Sequence, residues 1–417
     1  MNRFISFNVR GSQILRGNIK ILQKQKLILI EINQPKRCVS LGKIILNSKL
    51  PIKAEIKAEN HQTPPPPRKE LSPIRKLLYV KDYLDFLIIL FLGTGIYIGY
   101  NKSKLKNEHE KKYNIEWVNI PFTKHKIFTC NNFYLPEFCA KHLENFKNFQ
   151  IRNSDIWIVS FPKSGTTWVQ ELVYLIENEC DFKKAQQDSI ENRSPFFDYP
   201  SPGLKHIDNI KSRRIIKTHL PISFLPDNIE NESKVIYIVR NPKDVTVSYF
   251  HFTNLSTQAQ FTGSFYDFAK LFIDGKVPYG PWWKHVDEYV SRKNVHVISY
   301  EDLHTRPYEV IKNLSEYLGK SLSDEKIKSI IEWCSFDNMK NNPSVNYEWY
   351  KELGLYKKSG NFFRKGKIGD WLNHFAMEDS KQIDEIVEKN LKTDIKFNYG
   401  ISDEDLHKIY AAAKTNE

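Results

Sequence analysis

Cysteine is scarce in this chain of 417 residues, and its five cysteines do not form close pairs along the sequence. Structural zinc sites need closely spaced ligands, and small secreted domains that depend on disulfides contain more cysteine. The sequence therefore argues against a metal site and against a disulfide framework, and it is compatible with a reducing compartment such as the cytosol or the mitochondrial matrix. The cysteines are scattered, without a C-x-x-C motif, at Cys38, Cys130, Cys139, Cys180 and Cys334.

Acidic residues are absent from the first 30 residues, although the chain as a whole carries 49. Residues 1–50 contain ten Lys or Arg and one acid, whereas residues 116–417 have a net charge of −1. The formal net charge of +13 therefore belongs to an N-terminal arm, and the main domain is not expected to bind nucleic acid. For residues 1–30 we predict a basic segment typical of a mitochondrial transit peptide, with an unstructured basic tail as the alternative.

Three further segments precede the main domain. Residues 31–82 include the four consecutive prolines of HQTPPPPRKE, which predict an extended, disordered linker. For residues 83–100 we predict a transmembrane helix, because residues 86–100 carry no charge. That run is shorter than the roughly 20 residues of a usual span, and a buried helix is the alternative. Residues 101–113 are predicted to be a basic linker.

These segments predict a membrane-anchored protein, in mitochondria or on a cytoplasm-facing membrane, and the cytoplasm itself is the remaining alternative. Both flanks of residues 83–100 are basic, so the distribution of charge does not assign an orientation in the membrane.

From about residue 114 the sequence alternates between short apolar strands and helical patterns. This alternation predicts a three-layer α/β fold with a central, mainly parallel sheet flanked by helices. Ligands of such sheets bind at the carboxyl ends of the strands. The predicted strands are residues 155–160, 214–217, 234–240 and 294–300, and the predicted helices are Thr166–Glu177, Pro242–Asn254, Pro307–Leu318 and Asp324–Trp333.

The motif FPKSGTTW, residues 161–168, joins a predicted strand to a predicted helix. Backbone N–H groups at such a helix N-terminus bind anions, and Gly165 allows close approach. Lys163 adds a positive charge, and the hydroxyls of Ser164, Thr166 and Thr167 add donors. In the Walker motif of nucleotide triphosphatases the Lys follows the Gly, whereas here it precedes the Gly. The turn therefore predicts a P-loop-like phosphate site that is not a Walker loop.

The motif KTHLP, residues 217–221, ends another predicted strand. His219 would project from the sheet edge into a cleft, where a histidine can act as a general base. A structural histidine is the alternative, and the neighbouring Lys217 and phosphate turn favour the functional interpretation.

Two basic motifs predict a second anion site. Arg240 ends a strand, and Ser248 lies two turns into the helix that follows. Arg364, Lys365 and Gly366 form a basic loop in FRKGKIGDW. A guanidinium group can bind two phosphate oxygens, and ordinary surface residues are the alternative. Two phosphate pockets beside a strand-end histidine imply a doubly phosphorylated nucleotide that donates a group.

The motifs FPKSGTTW, KTHLP, RNPKDVTVSYFHF, YEDL and RKGKIGDW follow one another in an order that resembles the cytosolic-type sulfotransferases. The resemblance covers residues 114–417. It implies that the enzyme transfers the sulfuryl group of 3′-phosphoadenosine 5′-phosphosulfate (PAPS) to a hydroxyl of a small, aromatic or steroid-like acceptor. A nucleotide-binding pseudoenzyme or a membrane-anchored scaffold that keeps the fold is the alternative.

The same resemblance implies roles for individual residues. His219 would take the proton of the acceptor hydroxyl, and Lys163 and Lys217 would stabilise the charge that develops during transfer, without a metal. The 5′ phosphosulfate would be held by Lys163, Ser164, Gly165, Thr166 and Thr167. The 3′ phosphate would be held by Arg240, Ser248, Arg364, Lys365 and Gly366. The adenine would be framed by Trp168, Tyr300 and Phe336.

The acceptor site is predicted from aromatic residues at 249–252, Phe261, 278–283, Phe362 and Phe363. The chain also departs from the family pattern. Cys334 stands where the family has a Thr in the adenine pocket. The residues after GDW differ from the family's dimer motif at Leu372, Ala376, Met377 and Lys381, so dimer and monomer both stay open.

Overall fold

The computed structural model describes residues 94–95, 97–101, 103–402 and 404–406, together with the backbone of four short strands nearer the N-terminus. The chain divides into two units, residues 1–93 and 94–417. In the first unit, Phe4–Ser6 (β1) pairs with Asn18–Lys20 (β2), and Leu27–Ile28 (β3) pairs with Ile44–Ile45 (β4), both antiparallel. The rest of the predicted targeting segment and of the predicted linker, residues 1–30 and 31–82, lies outside the described residues.

The predicted membrane span, residues 83–100, lies mostly outside the described residues as well. In the part of the chain that the structure describes, no helix is both long enough and apolar enough to cross a bilayer.

Residues 103–112 (α1), which the sequence assigns to a basic linker, are helical. Lys106 and Glu110 lie one turn apart with their charged atoms 3.6 Å apart, and such pairs favour a helix. The helix contacts the domain that follows it, because His109 Nε2 lies 2.7 Å from the carbonyl oxygen of Ala140 and Lys112 Nζ lies 2.7 Å from Glu144 Oε1.

The centre of the second unit is a parallel sheet of four strands, as the sequence predicts. A separate antiparallel sheet precedes it and contains Glu116–Val118 (β5), Ile127–Cys130 (β6) and Phe133–Pro136 (β7). The parallel sheet has the order β11-β10-β8-β9 and consists of Ile156–Ser160 (β8), Ile215–Thr218 (β9), Lys234–Val239 (β10) and Val295–Ser299 (β11).

Apolar side chains of the parallel strands alternate between two cores, one on each face of the sheet. Trp157 and Val159 belong to one core, and Ile156 and Ile158 belong to the other; all four are buried. A parallel sheet covered on both faces requires strands that are apolar throughout, which is the pattern of β8 and β10. The predicted three-layer arrangement is therefore confirmed.

The α-helices that follow α1 are Glu137–Ala140 (α2), Leu143–Lys147 (α3), Thr166–Glu177 (α4), Phe182–Gln187 (α5), Ile190–Arg193 (α6), Leu204–Asn209 (α7), Ile229–Glu232 (α8), Pro242–Leu255 (α9), Phe265–Ile273 (α10), Trp282–Val290 (α11), Tyr300–Thr305 (α12), Pro307–Tyr317 (α13), Asp324–Trp333 (α14), Phe336–Asn341 (α15), Trp349–Glu352 (α16) and Met377–Asn390 (α17). Ile222–Phe224 and Asp370–Asn373 are 3₁₀ helices.

The carboxyl ends of the four parallel strands lie at one edge of the sheet. The phosphate turn follows β8, His219 follows β9, Arg240 follows β10 and Tyr300 follows β11. Because parallel strands bring these ends together, four motifs that are far apart in the sequence meet at one place.

Candidate active site

The turn between β8 and α4 has the backbone geometry of an anion site. Lys163 and Gly165 have positive φ angles of 71° and 107°. A Cβ atom at Gly165 would lie 2.7 Å from the ring of Tyr300, so only glycine fits there. The side chain of Ser164 is buried, and its hydroxyl has no hydrogen-bond partner within the described residues. The first N–H groups of a helix have no partner inside the helix, so the turn presents several unpaired donors.

Lys163 lies in a cationic environment without a carboxylate partner among the described residues. Its Nζ atom is 3.9 Å from the ring centre of Phe362 and 4.6 Å from that of Phe252. Burial lowers the pKa of Lys163 to about 7, and the charges of Lys217 and Arg240 contribute to that shift. An anion bound beside Lys163 would restore its charge, so these side chains fit a negatively charged ligand.

The ring of His219 is fixed in one tautomer. Its Nδ1 atom lies 2.8 Å from the backbone carbonyl oxygen of Ser160. A carbonyl oxygen only accepts hydrogen bonds, so Nδ1 carries the ring proton and Nε2 carries the free electron pair. In the described ranges Nε2 has no hydrogen-bond partner. Burial, and then the charge of Lys217, keep the pKa of His219 well below its ordinary value, so the imidazole stays neutral. A neutral imidazole with a free Nε2 is equipped to accept a proton.

Lys217 lies two residues before His219 on β9, with its Nζ atom 4.4 Å from the ring centre of Phe196. Burial lowers the pKa of Lys217 from its ordinary value. The side chain therefore places a second cation beside the histidine.

Arg240 lies at the centre of the second basic group. Its guanidinium stacks 4.1 Å from the ring centre of Tyr300 and donates to the backbone oxygens of Lys163 and Lys367, at 3.3 and 3.1 Å. Its Nε atom is buried and has no hydrogen-bond partner in the described part of the chain. Asp244 is 3.9 Å away, at the limit of an ion pair.

Arg364 and Lys365 share one carboxylate. Each donates to Asp370 at 2.6 Å. Burial alone would raise the pKa of Asp370, but hydrogen bonds from Lys365 and Arg364 hold it well below its ordinary value. The basic loop therefore keeps its shape through ion pairs within the loop.

Aromatic rings form the wall between the two basic groups. The rings of Trp168 and Tyr300 lie 5.8 Å apart, centre to centre. The backbone of Gly366 lies directly against Phe336, because a Cβ atom at Gly366 would come within 2.1 Å of that ring. Flat surfaces of this kind suit a nucleobase.

One cleft of about 870 Å³ brings the predicted site residues together. Every residue assigned above to catalysis or to PAPS lines this cleft except Ser164, which is buried in the turn behind it. Of the aromatic segments predicted for the acceptor, Phe250, Trp282 and Trp283 do not line the cleft. Trp282 is buried in the core, with its ring centre 5.3 Å from that of Phe397. Cleft-lining residues from the predicted acceptor set are Tyr249, Phe252, Phe261, Tyr279, Phe362 and Phe363.

Sequence reasoning missed two groups. The cleft is also lined by residues of the segment that runs from β5 into α2, among them Ile127 of β6 and Phe138 of α2, and this region carries no motif. It also missed Asp198, a buried carboxylate that contacts the loop of His219 and whose pKa burial raises to about 7. The only signal was an acid directly after the Phe196–Phe197 pair, which is too common a pattern to interpret.

The fold and the site define an α/β protein whose cleft combines two groups of cationic side chains, suited to a ligand with two phosphate groups, with a neutral histidine. A model of the sulfotransferase domain matches residues 153–394. The chain is 39% identical over 263 residues to Sulfotransferase 1E1 of Bos taurus, which covers 60% of this chain and 89% of that protein. It is 37% identical over 261 residues to Sulfotransferase 1B1 of Canis lupus familiaris, with 60% and 88% covered.

Solved structures show the same likeness. A structure of retinol dehydratase in complex with androsterone and inactive cofactor PAP has a TM-score of 0.61 and 28% identity, and the match covers 70% of this chain and 95% of that one. Mouse sulfotransferase SULT7A1 complexed with PAP has a TM-score of 0.52 and 27% identity, with 64% and 95% covered. The chain belongs to the sulfotransferase family. It is a PAPS-dependent enzyme that transfers a sulfuryl group to a small hydroxyl-bearing acceptor, and the corresponding predictions are confirmed.

Proposed function

We propose that His219 is the general base of this sulfotransferase, that Lys163 and Lys217 stabilise the transferred charge, and that the acceptor is an aromatic or steroid-like alcohol. The observation that carries the proposal is the tautomer of His219. Because Nδ1 is held by the Ser160 carbonyl, Nε2 is the only ring atom that can take a proton from a molecule in the cleft.

The described residues fit PAPS. The buried Nε of Arg240 lacks a partner in the described part of the chain, and a phosphate oxygen in the cleft would satisfy it. The buried hydroxyl of Ser164 lacks a partner there too, and an oxygen of the 5′ phosphosulfate would satisfy it by entering the turn between β8 and α4. Gly366 leaves room beside Phe336 that any Cβ atom would fill. The proposed donor ligands are therefore the ones that the sequence predicts, from Lys163 to Trp168 in the turn, and Arg240, Ser248, Tyr300, Phe336, Arg364, Lys365 and Gly366 elsewhere.

PAPS supplies an activated sulfuryl group attached to a phosphate that leaves readily. His219 Nε2 receives the proton of the acceptor hydroxyl as the oxygen attacks. Lys163 and Lys217 would supply positive charge to the transferred group, because preorganised cations lower the barrier where negative charge develops. In-line attack also requires the acceptor to be held in position, which the walls of the cleft provide.

The proposed acceptor class is supported by the lining of the cleft. Phe138, Phe196, Tyr249, Phe261 and Tyr279 surround the space in front of His219, so a flat apolar molecule can exchange water for aromatic contacts there. Among the related structures, retinol dehydratase holds androsterone, a molecule of this type.

The substitution His219→Ala tests the proposed base. We expect turnover with a panel of phenols and hydroxysteroids to fall at least about 100-fold, the lower range of a general base's contribution. PAP, the desulfated nucleotide, should bind with unchanged affinity in calorimetry, because the base contacts the acceptor. A variant that loses PAP binding as well would make His219 a structural residue, and a variant that keeps full turnover would exclude it as the base.

We further propose that the N-terminal arm, residues 1–113, addresses the enzyme to a membrane, with residues 83–100 as the span and residues 114–417 as the sulfotransferase domain. The uncharged run in that segment supports the proposal. Fractionation of cells that express the full chain tests it. The enzyme should stay with membranes after alkaline carbonate extraction, and N-terminal sequencing should reveal whether residues 1–30 are removed. Release into the carbonate supernatant would refute the span.

A further inference from the structure

The backbone of His219 lies beyond the end of β9, where the sheet no longer supplies hydrogen-bond partners. Its N–H group donates to Asp198 Oδ2 at 2.9 Å. The other oxygen of the same carboxylate accepts from the hydroxyl of Thr218. Asp198 is buried, so one carboxylate fixes two consecutive residues of this loop from one side.

The carbonyl group of His219 is fixed from the opposite side by α11. His285 Nε2 lies 2.9 Å from that carbonyl oxygen, and Tyr237 Oη lies 3.0 Å from His285 Nδ1. Burial lowers the pKa of His285 to about 4, so its ring is neutral and has a single N–H group. The carbonyl oxygen can only accept, so Nε2 of His285 donates to it and Nδ1 accepts from Tyr237.

Burying the two titratable side chains that make these contacts is unfavourable for stability, so a structural role alone does not explain them. Burial of a carboxylate disfavours its charged form, and burial raises the pKa of Asp198 to about 7. His285 is fully buried too, and its two ring nitrogens are committed to the carbonyl oxygen of His219 and to the hydroxyl of Tyr237 on β10. The loop carries the ring whose orientation matters most, because the bond from His219 Nδ1 to the Ser160 carbonyl exists only while the backbone of His219 stays in place.

We propose that Asp198 and His285 are positioning residues for sulfuryl transfer, which hold the backbone of His219 from both sides so that Nε2 faces the acceptor hydroxyl. The proposal rests on the proposed role of His219 as the base. Neither residue touches the donor or the acceptor in this scheme, and both act through His219.

Loosening either contact should allow the ring of His219 to shift and water to reach it. A shift of about 1 Å at a reacting group can reduce the rate about 100-fold, so we expect kcat to fall about tenfold to 100-fold. Water would also relieve the burial that depresses the pKa of His219, so the acid limb of the kcat profile should move to higher pH. PAP affinity should stay within about twofold.

The direction in which the acid limb of the kcat profile moves distinguishes a displaced His219 ring from a mere change in the charge nearby. The titratable groups near His219 are Lys217 on β9, Lys163 on the phosphate turn, Asp198 and Tyr279 in loops, and His285 on α11. Replacing Asp198 by Asn removes negative charge, which by itself would lower the pKa of His219. An acid limb of the kcat profile that moves to higher pH therefore indicates that the ring of His219 has been displaced.

The experiment compares full-length Asp198→Asn, His285→Leu and His285→Gln proteins. Gln can still donate to the carbonyl of His219, whereas Leu cannot, so His285→Gln should recover part of the lost kcat. Asp155→Asn is the matched control, because Asp155 is an equally buried carboxylate at the start of β8, paired with Arg214. Each variant is measured for Tm, PAP affinity, and kcat and KM from pH 5 to pH 9, below its Tm. The control should lower Tm and leave the acid limb where it is.

A folded Asp198→Asn or His285→Leu protein with the wild-type kcat and acid limb would overturn the proposal, and so would a loss of kcat with an unmoved limb. If both variants fail to bind PAP, the milder Tyr237→Phe protein is tested instead, because this substitution removes only the hydroxyl that orients His285. An acid limb of its kcat profile that is unchanged from wild type would also overturn the proposal. A His219→Ala protein that stays active would refute the proposed function itself. An inactive His219→Ala protein beside a normal Asp198→Asn protein would refute the positioning role alone.

Discussion

Replacement of Gly366 by Ala should weaken adenine recognition and also lower the stability of the domain. Gly366 has a φ of 61°, and its added Cβ atom would lie 2.1 Å from Cδ2 of Phe336. No carbon atom tolerates that distance, so the ring of Phe336 or the backbone of the loop must shift, and either shift changes the contact between them. Phe336 is the ring that we assign to one side of the adenine.

The expected magnitude has two parts. A non-glycine residue in the left-handed region costs about 1–2 kcal/mol, and forcing a packed ring aside costs about 1–3 kcal/mol more, so the variant should lose about 2–5 kcal/mol of stability. Loss of one stacking surface for a base removes about 1–3 kcal/mol of binding. PAP affinity should therefore fall about fivefold to 150-fold.

Gly319→Ala is the matched control for backbone strain. Gly319 follows α13 with a φ of 75°, and an added Cβ atom there would meet nothing within 4 Å. Both variants are measured by thermal denaturation and by calorimetric titration with PAP. Gly319→Ala should lose only about 1–2 kcal/mol of stability and bind PAP normally. Unchanged PAP affinity in Gly366→Ala would refute the placement of adenine against Phe336.

Two further predictions concern the phosphate turn. Because the pKa of Lys163 is about 7 in the free protein, roughly nine-tenths of it is neutral at pH 8, and a bound phosphate raises its pKa. PAP binding should then take up close to one proton at pH 8, as calorimetry in buffers of different ionisation enthalpy would show, and a Lys163→Met protein should lose that uptake. At pH 6 Lys163 is already mostly charged, and the phosphate groups of free PAP, with a second pKa of about 6, are partly protonated, so the uptake should turn into a release of protons. Ser164→Ala should leave Tm unchanged or raise it, since the buried hydroxyl lacks a partner in the described residues, and it should weaken PAP by about 0.5–1.5 kcal/mol; a clear drop in Tm would mean that the hydroxyl already has a partner in the free protein.

The sequence was sufficient to predict the parallel sheet and those residues of the cleft that belong to its motifs. Each motif lies at the end of a short apolar strand, so its position along the chain also determines its position in space. Strand and helix bounds differ from the predicted ones by at most one or two residues, as in Pro242–Leu255. Local patterns are enough to predict these elements, because each strand, its turn and the helix that follows are contiguous in the sequence.

The contacts that could not be predicted join residues with no regular spacing. Asp198 and His219 are 21 residues apart, and His285 is 66 residues from His219, on a helix that covers the sheet. Only the packing of α11 against β10 brings the second pair together. Which aromatic residues of 278–283 reach the cleft could not be predicted for a related reason, since α11 turns the side chain of Trp282 into the core.

Asp370 has a consequence for the choice of nucleotide. The carboxylate offsets one of the two positive charges of Arg364 and Lys365 and holds both side chains in place before a ligand binds. The loop keeps a net positive charge, and a 3′ phosphate with nearly two negative charges at pH 7 gains more from it than an uncharged 3′ hydroxyl does. We expect PAP to bind much more tightly than adenosine 5′-phosphate. Asp370→Asn removes a negative charge beside the 3′ phosphate, so it should widen that difference; a narrower difference in calorimetry would contradict this reasoning. An acidic side chain inside a basic loop thus gives a pocket that is already in shape when the nucleotide arrives, with a lower affinity than the two cations alone would have.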